Sequence, residues 1–248
     1  MHQTRSLVLL LIIIKSANHK KYHQQLLSSF LSACLCRLRN DVINHSQLLC
    51  LDCLHDLPFT NFESFPKNPI EKIFWGRINI VSASSLLYFT KNSFLQNIMH
   101  QFKYKGKKEI GFYFGKMMGN ALMKSERFEN IDAIIPLPLF VSKEKRRGYN
   151  QATILCEGIS EAMNVEVLKD AVIRSVETET QTKKNRIDRW LNIDGKFELR
   201  NEKSLVNKHV LLVDDIITTG ATLEACAAVM NNVNGIEIRI ATLAYTLL

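Results

Sequence analysis

Apolar and polar positions along this chain fall into blocks that switch between a helical and an extended period, and their order is that of a layered α/β protein. Asn92 to Tyr104 and Lys108 to Phe128 repeat apolar residues at helical spacing, with Gly106 dividing them. Ile131 to Leu139 has the length and composition of a core strand, and Asn150 to Met163 returns to helical spacing. Ala171 to Arg174 predicts a second strand, Val210 to Val213 a buried parallel strand, Leu223 to Met230 a helix, and Ile236 to Tyr245 a closing strand. Ile78 to Phe89 mixes apolar and small residues and predicts an edge strand or a hairpin. Strands alternating with helices predict an open, mostly parallel sheet whose ligand loops lie along one edge.

The blocks group into four regions. Residues 78–248 hold the α/β domain, and residues 59–77, rich in Pro, Asn and aromatic side chains without sustained period, read as a linker or cover. Residues 22–58 form a small cysteine-rich segment in which Cys34 and Cys36 precede Cys50 and Cys53. Two close thiolate pairs suit a tetrahedral structural zinc site, yet the first pair is Cys-x-Cys rather than the usual Cys-x₂-Cys knuckle. The segment is therefore either a zinc ribbon, with His45 or His55 able to replace a thiolate, or a degenerate one. Residues 1–21 are an N-terminal extension whose apolar run, Leu7 to Ile14, is too short to span a bilayer. That run reads as a weak secretory signal, an extended helix, or the product of a start codon placed too early.

At 248 residues and 46% hydrophobic content, the chain can bury one sizeable α/β core plus a small appendage. Cys156 and Cys226 sit inside helical patterns as core thiols, so the six cysteines do not form a secreted disulfide framework, and the expected location is cytoplasmic. The net charge of +8 suits polyphosphate or nucleic-acid partners. Its local clusters matter more: Lys103, Lys105, Lys107 and Lys108; Lys143, Lys145, Arg146 and Arg147; Lys183, Lys184, Arg186 and Arg189.

The chemistry concentrates in His209 to Ala227, HVLLVDDIITTGATLEACA. Asp214 and Asp215 fall at the end of the apolar strand, where open α/β sheets bind ligands. Two adjacent carboxylates accept hydrogen bonds from vicinal ribose hydroxyls or hold the water shell of Mg²⁺. Beyond them Thr218, Thr219, Gly220, Ala221 and Thr222 lead into a helix, so hydroxyls, converging amides and the helix N-terminus all favour a phosphate. A diol site beside a phosphate site describes a ribose 5-phosphate. No Gly-Lys-Ser/Thr follows, which excludes a P-loop, and the repeated glycines of a dinucleotide fingerprint are missing. The stretch VLLVDDIITTGAT resembles the phosphoribosyl-pyrophosphate (PRPP) signature of type I phosphoribosyltransferases.

Two upstream segments fit around such a ligand. The strand IDAIIPLPLF runs into the basic VSKEKRRGYNQA, which is either a pyrophosphate-facing loop or a solvated helix start. By resemblance, Leu137 to Leu139 occupies the pyrophosphate-loop place, although Pro138 offers no N–H and its peptide bond can be cis more cheaply than most. Val176 to Asp194 is polar and doubly charged, either a mobile lid bringing Arg174, Lys183, Lys184 or Arg186 over pyrophosphate or an ordinary surface loop; Trp190 favours docking.

The order FKYKGKKE, PLPL, RRGYNQA, QTKKNRIDRWLNIDGKF and VDDIITTGAT, after a four-cysteine segment ending in Leu-Pro, resembles the ComF (competence protein F), or GntX-like, family. The resemblance covers roughly residues 30 to 248 and implies a type I phosphoribosyltransferase fold. It implies PRPP with Mg²⁺ as ligand, Asp214 and Asp215 on the ribose and metal, residues 218–222 on the 5′-phosphate, and transfer to an unidentified acceptor. The family name also motivates an alternative: a non-catalytic accessory protein of natural transformation contacting single-stranded DNA or DNA-processing proteins, with which the basic clusters and Phe102, Tyr104, Tyr149 and Trp190 are compatible.

Overall fold

The computed structural model describes Leu49 and residues 51–91, 93–174 and 197–246. The chain divides into two compact units, Met1–Asp56 and Leu57–Leu248. In the first, helix α1 (Leu51–His55) carries Cys53. Cys34, Cys36, Cys50, the run Leu7 to Ile14, and the segment holding Lys183, Lys184, Arg186 and Trp190 lie outside the described residues.

In the second unit the strands are β1 (Ser82–Phe89), β2 (Ala133–Pro136), β3 (Val172–Arg174), β4 (Phe197–Leu199), β5 (His209–Ile217) and β6 (Glu237–Thr246). Four of them form a parallel sheet in the order β1-β6-β5-β2. The expected strand at Ala171 to Arg174 is real but does not join that sheet. It is β3, paired antiparallel with β4 in a separate ribbon. Residues 166–168 run beside β2 instead: Ile134 N–H donates to Glu166 O (2.9 Å) and Leu168 N–H to Ile134 O (2.9 Å). The ribbon is held there because Ala171, Val172 and Phe197 are buried with the main core and Leu199 packs partly against it.

Helices cover both faces. α2 (Pro69–Phe74) and α7 (Ala221–Met230) bring Ile70, Phe74, Leu223, Cys226 and Met230 into one cluster with Val210, Leu212 and Ile240 of the sheet. Strand residues alternate faces, so Leu211 and Val213 turn to the opposite layer, where α4 (Lys108–Leu122) packs on α6 (Gln151–Met163) and α6 on β2 and β5. Glycines bring the α4 and α6 backbones together. A Cβ on Gly158 would collide with Phe112 O and stand 2.8 Å from Lys116 N; one on Gly119 would stand 2.7 Å from Ala162 Cβ. Helices α3 (Phe94–Tyr104) and α5 (Val141–Arg147) are the remaining α-helices among this unit's described residues.

Residues 59–77, read as a linker or cover, finish the β1 edge. Thr60 N–H donates to Leu86 O (3.0 Å) and Tyr88 N–H to Pro58 O (2.8 Å). Asn68 then starts α2: its Oδ1 accepts from the amides of Ile70 (3.0 Å) and Glu71 (3.1 Å), and its Nδ2 donates to Ala83 O (2.8 Å) on β1. Glu71 accepts from Ala83 N–H (3.2 Å) and pairs with Arg127. This polar weld fixes α2 against the sheet.

Candidate functional site

β2 pairs with β5 only as far as Pro136 opposite Val213, whereas β6 continues alongside β5 to Tyr245 opposite Ile217. The strand therefore does not stop at the acid pair, as its apolar run suggested, but carries Asp214 and Asp215 past the end of β2 on a backbone still held by β6. With no strand opposite on that flank among the described residues, the Asp215 N–H donates to Asp214 Oδ1 (2.7 Å). Asp215 is only 8% exposed.

The counter-charge comes from α3. Lys103 Nζ lies 2.8 Å from Asp215 Oδ2. Leu95, Ile98, Met99 and Phe102 form the buried stripe of α3, and Lys103 follows Met99 by four residues, so it occupies an inward position. The end of that helix is fixed: the Tyr149 hydroxyl donates to Phe102 O, and the Arg147 guanidinium lies 5.7 Å from the centre of the Tyr104 ring. Burial, followed by the neighbouring Asp215 charge, pushes the Asp214 carboxyl up to about 7, against the pull of the Asp215 amide, Lys103 and Arg174. Arg174, on β3, stacks 3.6 Å from the centre of Phe140 and 5.1 Å from that of Phe197.

After Ile217 the chain turns through exposed Thr218 and Thr219 to Gly220, which caps α7 with φ of 75° and offers no side-chain cap. The first bond of this helix runs from Glu224 N–H to Gly220 O (2.8 Å). The amides of Ala221, Thr222 and Leu223 precede it and are left for an anion. Gly220 is required twice over: its φ suits glycine, and a Cβ there would stand 2.6 Å from Ile73 Cγ2 and 3.1 Å from Phe74 Cε1. An Arg77–Glu224 ion pair ties the region after α2 to α7.

The pyrophosphate-loop residues behave differently from one another. Leu137 N–H donates to Val213 O (2.8 Å) and Leu137 O accepts from Asn150 Nδ2 (3.0 Å), so its backbone is spent on the sheet and on α6. Pro138 has no N–H, and all peptide bonds among the described residues are trans. Amides for an anion thus begin at Leu139. Arg146 is exposed on α5, while Arg147 donates to Gln151 Oε1 (2.6 Å) and braces Tyr104.

Sequence patterning missed the pairing of Lys103 with Asp215 and the support of Gly220 by Ile73 and Phe74. The first had a signal, a lysine on the apolar stripe of a helix; the second had none. As for a metal, the described residues contain no cluster of three His, Cys, Asp or Glu. Two carboxylates fit a hard cation that keeps its waters and takes further oxygens from a bound ligand, as Mg²⁺ does.

The family described as phosphoribosyl transferase domain matches residues 145–247, a span that takes in Arg146, Arg147, the acid pair and the Thr218–Thr222 loop. Competence protein F of Haemophilus influenzae is 31% identical over 154 residues, covering 60% of this chain and 67% of that protein. The chain belongs to the competence protein F family. Other ComF-like relatives are the DNA utilization protein YhgH of Escherichia coli K12, 27% identical over 62% of this chain and 68% of its own, and competence protein ComFC of Bacillus subtilis, 28% identical over 56% and 54%. Glutamine PRPP amidotransferase of B. subtilis, solved with ADP and GMP, superposes with a TM-score of 0.39 at 15% identity over 57% of this chain and 30% of its own. The matched domain and the parallel β1-β6-β5-β2 sheet make this ComF-family chain an α/β protein of type I phosphoribosyltransferase type.

Proposed function

We propose that this ComF-family protein binds PRPP with Mg²⁺ and transfers its phosphoribosyl group to an acceptor nucleophile. The observation that carries this reading is one strand exit, where an acid pair lies past the end of β2 and is followed directly by a glycine-capped helix start. Asp214 and Asp215 accept hydrogen bonds from the ribose hydroxyls. The amides of residues 221–223 and the hydroxyls of Thr218, Thr219 and Thr222 hold the 5′-phosphate. Arg146, with Lys143 and Lys145 on the same exposed helix, faces the pyrophosphate, and Lys183, Lys184 and Arg186 add cations to it. Mg²⁺, when bound with PRPP, offsets charge on the pyrophosphate oxygens. The acceptor attacks the anomeric carbon, the bond to pyrophosphate breaks with its electrons on the leaving oxygen, and the cationic loops stabilise that charge. Calorimetry of the full chain should show PRPP binding in the presence of Mg²⁺, lost in the Asp214→Ala/Asp215→Ala variant; equal affinity of that variant would remove the reading. We place this work in the cytoplasm, which cell fractionation tests. In the first unit, Cys34, Cys36, Cys50 and Cys53 would hold one structural zinc, to be read as one bound zinc per chain by elemental analysis.

A second reading has its own support. The relatives' names speak of competence and DNA utilization, and α5 buries none of its residues, exposes Lys143, Lys145 and Arg146, and sets Arg147 over the exposed ring of Tyr104 and Lys143 over the ring of Phe140. Cations beside an aromatic ring suit single-stranded DNA, and an accessory role in DNA uptake follows. Fluorescence titration with a labelled single strand at rising salt tests it: no binding at low salt rejects this role.

A further inference from the structure

Lys103 is a cation placed against the acid pair by the fold, and its surroundings fix it there. The Nζ is 2.8 Å from Asp215 Oδ2, with the lysine side chain 18% and the aspartate side chain 11% exposed. The stem of Lys103 takes an inward position on the apolar stripe of α3, and Tyr149 and Arg147 hold the last turn of that helix in place. One oxygen of Asp214 is already engaged by the Asp215 amide. The two carboxylates have no third His, Cys, Asp or Glu beside them among the described residues. A divalent ion approaching without a ligand would therefore find two carboxylates, one engaged by an ammonium group. Two carboxylates can hold a Mg²⁺-sized ion that keeps several of its waters, so what stands against such an ion in the ligand-free site is the ammonium.

We propose that Lys103 is the resident countercation of the acid pair, a specificity residue that keeps free divalent metal out of the ligand-free protein and so makes metal binding conditional on the sugar phosphate. The ammonium engages Asp215 Oδ2, so a metal held by Asp215 would have to compete with it, and a polyphosphorylated ligand, which attracts both cations, is what draws Lys103 away. The inference rests on the proposed sugar-phosphate reading for its ligand, but its central measurement uses metal alone.

Mn²⁺, whose free ion is counted by electron paramagnetic resonance, stands in for Mg²⁺ in a titration of the full-length protein without PRPP. The wild type should bind Mn²⁺ no better than Asp215→Asn. Lys103→Met, which keeps the apolar stem, should gain a site at least tenfold tighter, Lys103→Gln should gain the same site, and Lys103→Arg should behave as wild type. Adding Asp215→Asn to Lys103→Met should abolish the gain. Tight Mn²⁺ binding by the wild type that Asp215→Asn removes would overturn the proposal even if the lysine variants failed to fold. Folded lysine variants that gain nothing, or a gain that survives Asp215→Asn, would also overturn it. Should these arms hold while PRPP fails to bind, the transferase reading falls and the countercation role stands.

Discussion

Replacing Gly220 with alanine tests the support of the phosphate loop from two independent directions. With φ at 75°, the backbone lies in the left-handed region, which costs an L residue about 1–2 kcal/mol. The added methyl would also stand 2.6 Å from Ile73 Cγ2 and 3.1 Å from Phe74 Cε1. Ile73 Cγ2 is bonded directly to Cβ and moves aside only by a change of χ1, which a helix disfavours for a β-branched side chain, or with α2 itself, which Asn68 and Glu71 fasten to β1. Overpacking of this kind costs about 1–3 kcal/mol, giving about 2–5 kcal/mol in all when the two effects add. Urea unfolding followed by far-ultraviolet circular dichroism measures the total, and the Ile73→Ala background separates its parts. There the Cγ2 contact is gone and only the backbone cost, with a residual push on Phe74, should persist. A total cost under about 0.5 kcal/mol, or an identical cost in both backgrounds, would refute the argument, because contacting residues must show coupling. PRPP affinity should fall in Gly220→Ala and stay low in the double variant, since the backbone strain acts on the amides themselves.

Gly158→Ala sets a Cβ against Phe112 O and within 2.8 Å of Lys116 N, both backbone atoms of α4. It should cost about 3 kcal/mol and lower Tm by about 6–12 °C in thermal denaturation. Asn68→Ala removes the cap of α2 and the donor to Ala83 O, a loss of about 2–4 kcal/mol read from urea midpoints. Asp214→Asn should stabilise the ligand-free protein in a pH-dependent way. The folded carboxyl is raised to about 7 by burial and by Asp215, whereas a solvated aspartate titrates at about 3.9, so between those values the folded chain holds a proton that the unfolded chain has released. Wild-type stability then declines as pH rises through that window, and the advantage of Asp214→Asn should grow from pH 4 to pH 7 in parallel melts. A constant advantage would contradict the raised carboxyl.

The sheet and the phosphate loop were legible because each is written in contiguous residues. Val210 to Val213 is an unbroken apolar run, and Thr218 to Thr222 follows it with a glycine where the helix begins. Helices α3, α4 and α6 were legible from their stripes, though Lys108 to Phe128 overran because α4 ends at Leu122 and only a short 3₁₀ turn, Glu126–Phe128, follows. Residues 59–77 hid their role because they act one at a time. Phe62, Asn68, Ile70 and Phe74 are buried, but only Ile70 and Phe74 share helical spacing, too short a run to stand out, and Asn68 does its work through β1. The strand at Val172–Arg174 was visible, yet its partner was not, since antiparallel pairing with Phe197–Leu199 is decided by contacts distant in sequence. Lys103 was counted in a basic cluster, where its neighbours Tyr104 and Lys105 are exposed; only the phase of α3 distinguishes it from them.

The glycine seam between α4 and α6 has a mechanical consequence. Where Gly115 and Gly158 let two backbones touch, neither helix can slide along or roll over the other without driving main-chain atoms together. That pair is the stiff half of this unit, and α6 hands its stiffness through Asn150 to Leu137 at the rim of the site. Any closing of the protein around a bound molecule must then be borne elsewhere, at the turn from Thr218 to Gly220, where a loop is propped by the side chains of Ile73 and Phe74 rather than fused by backbone.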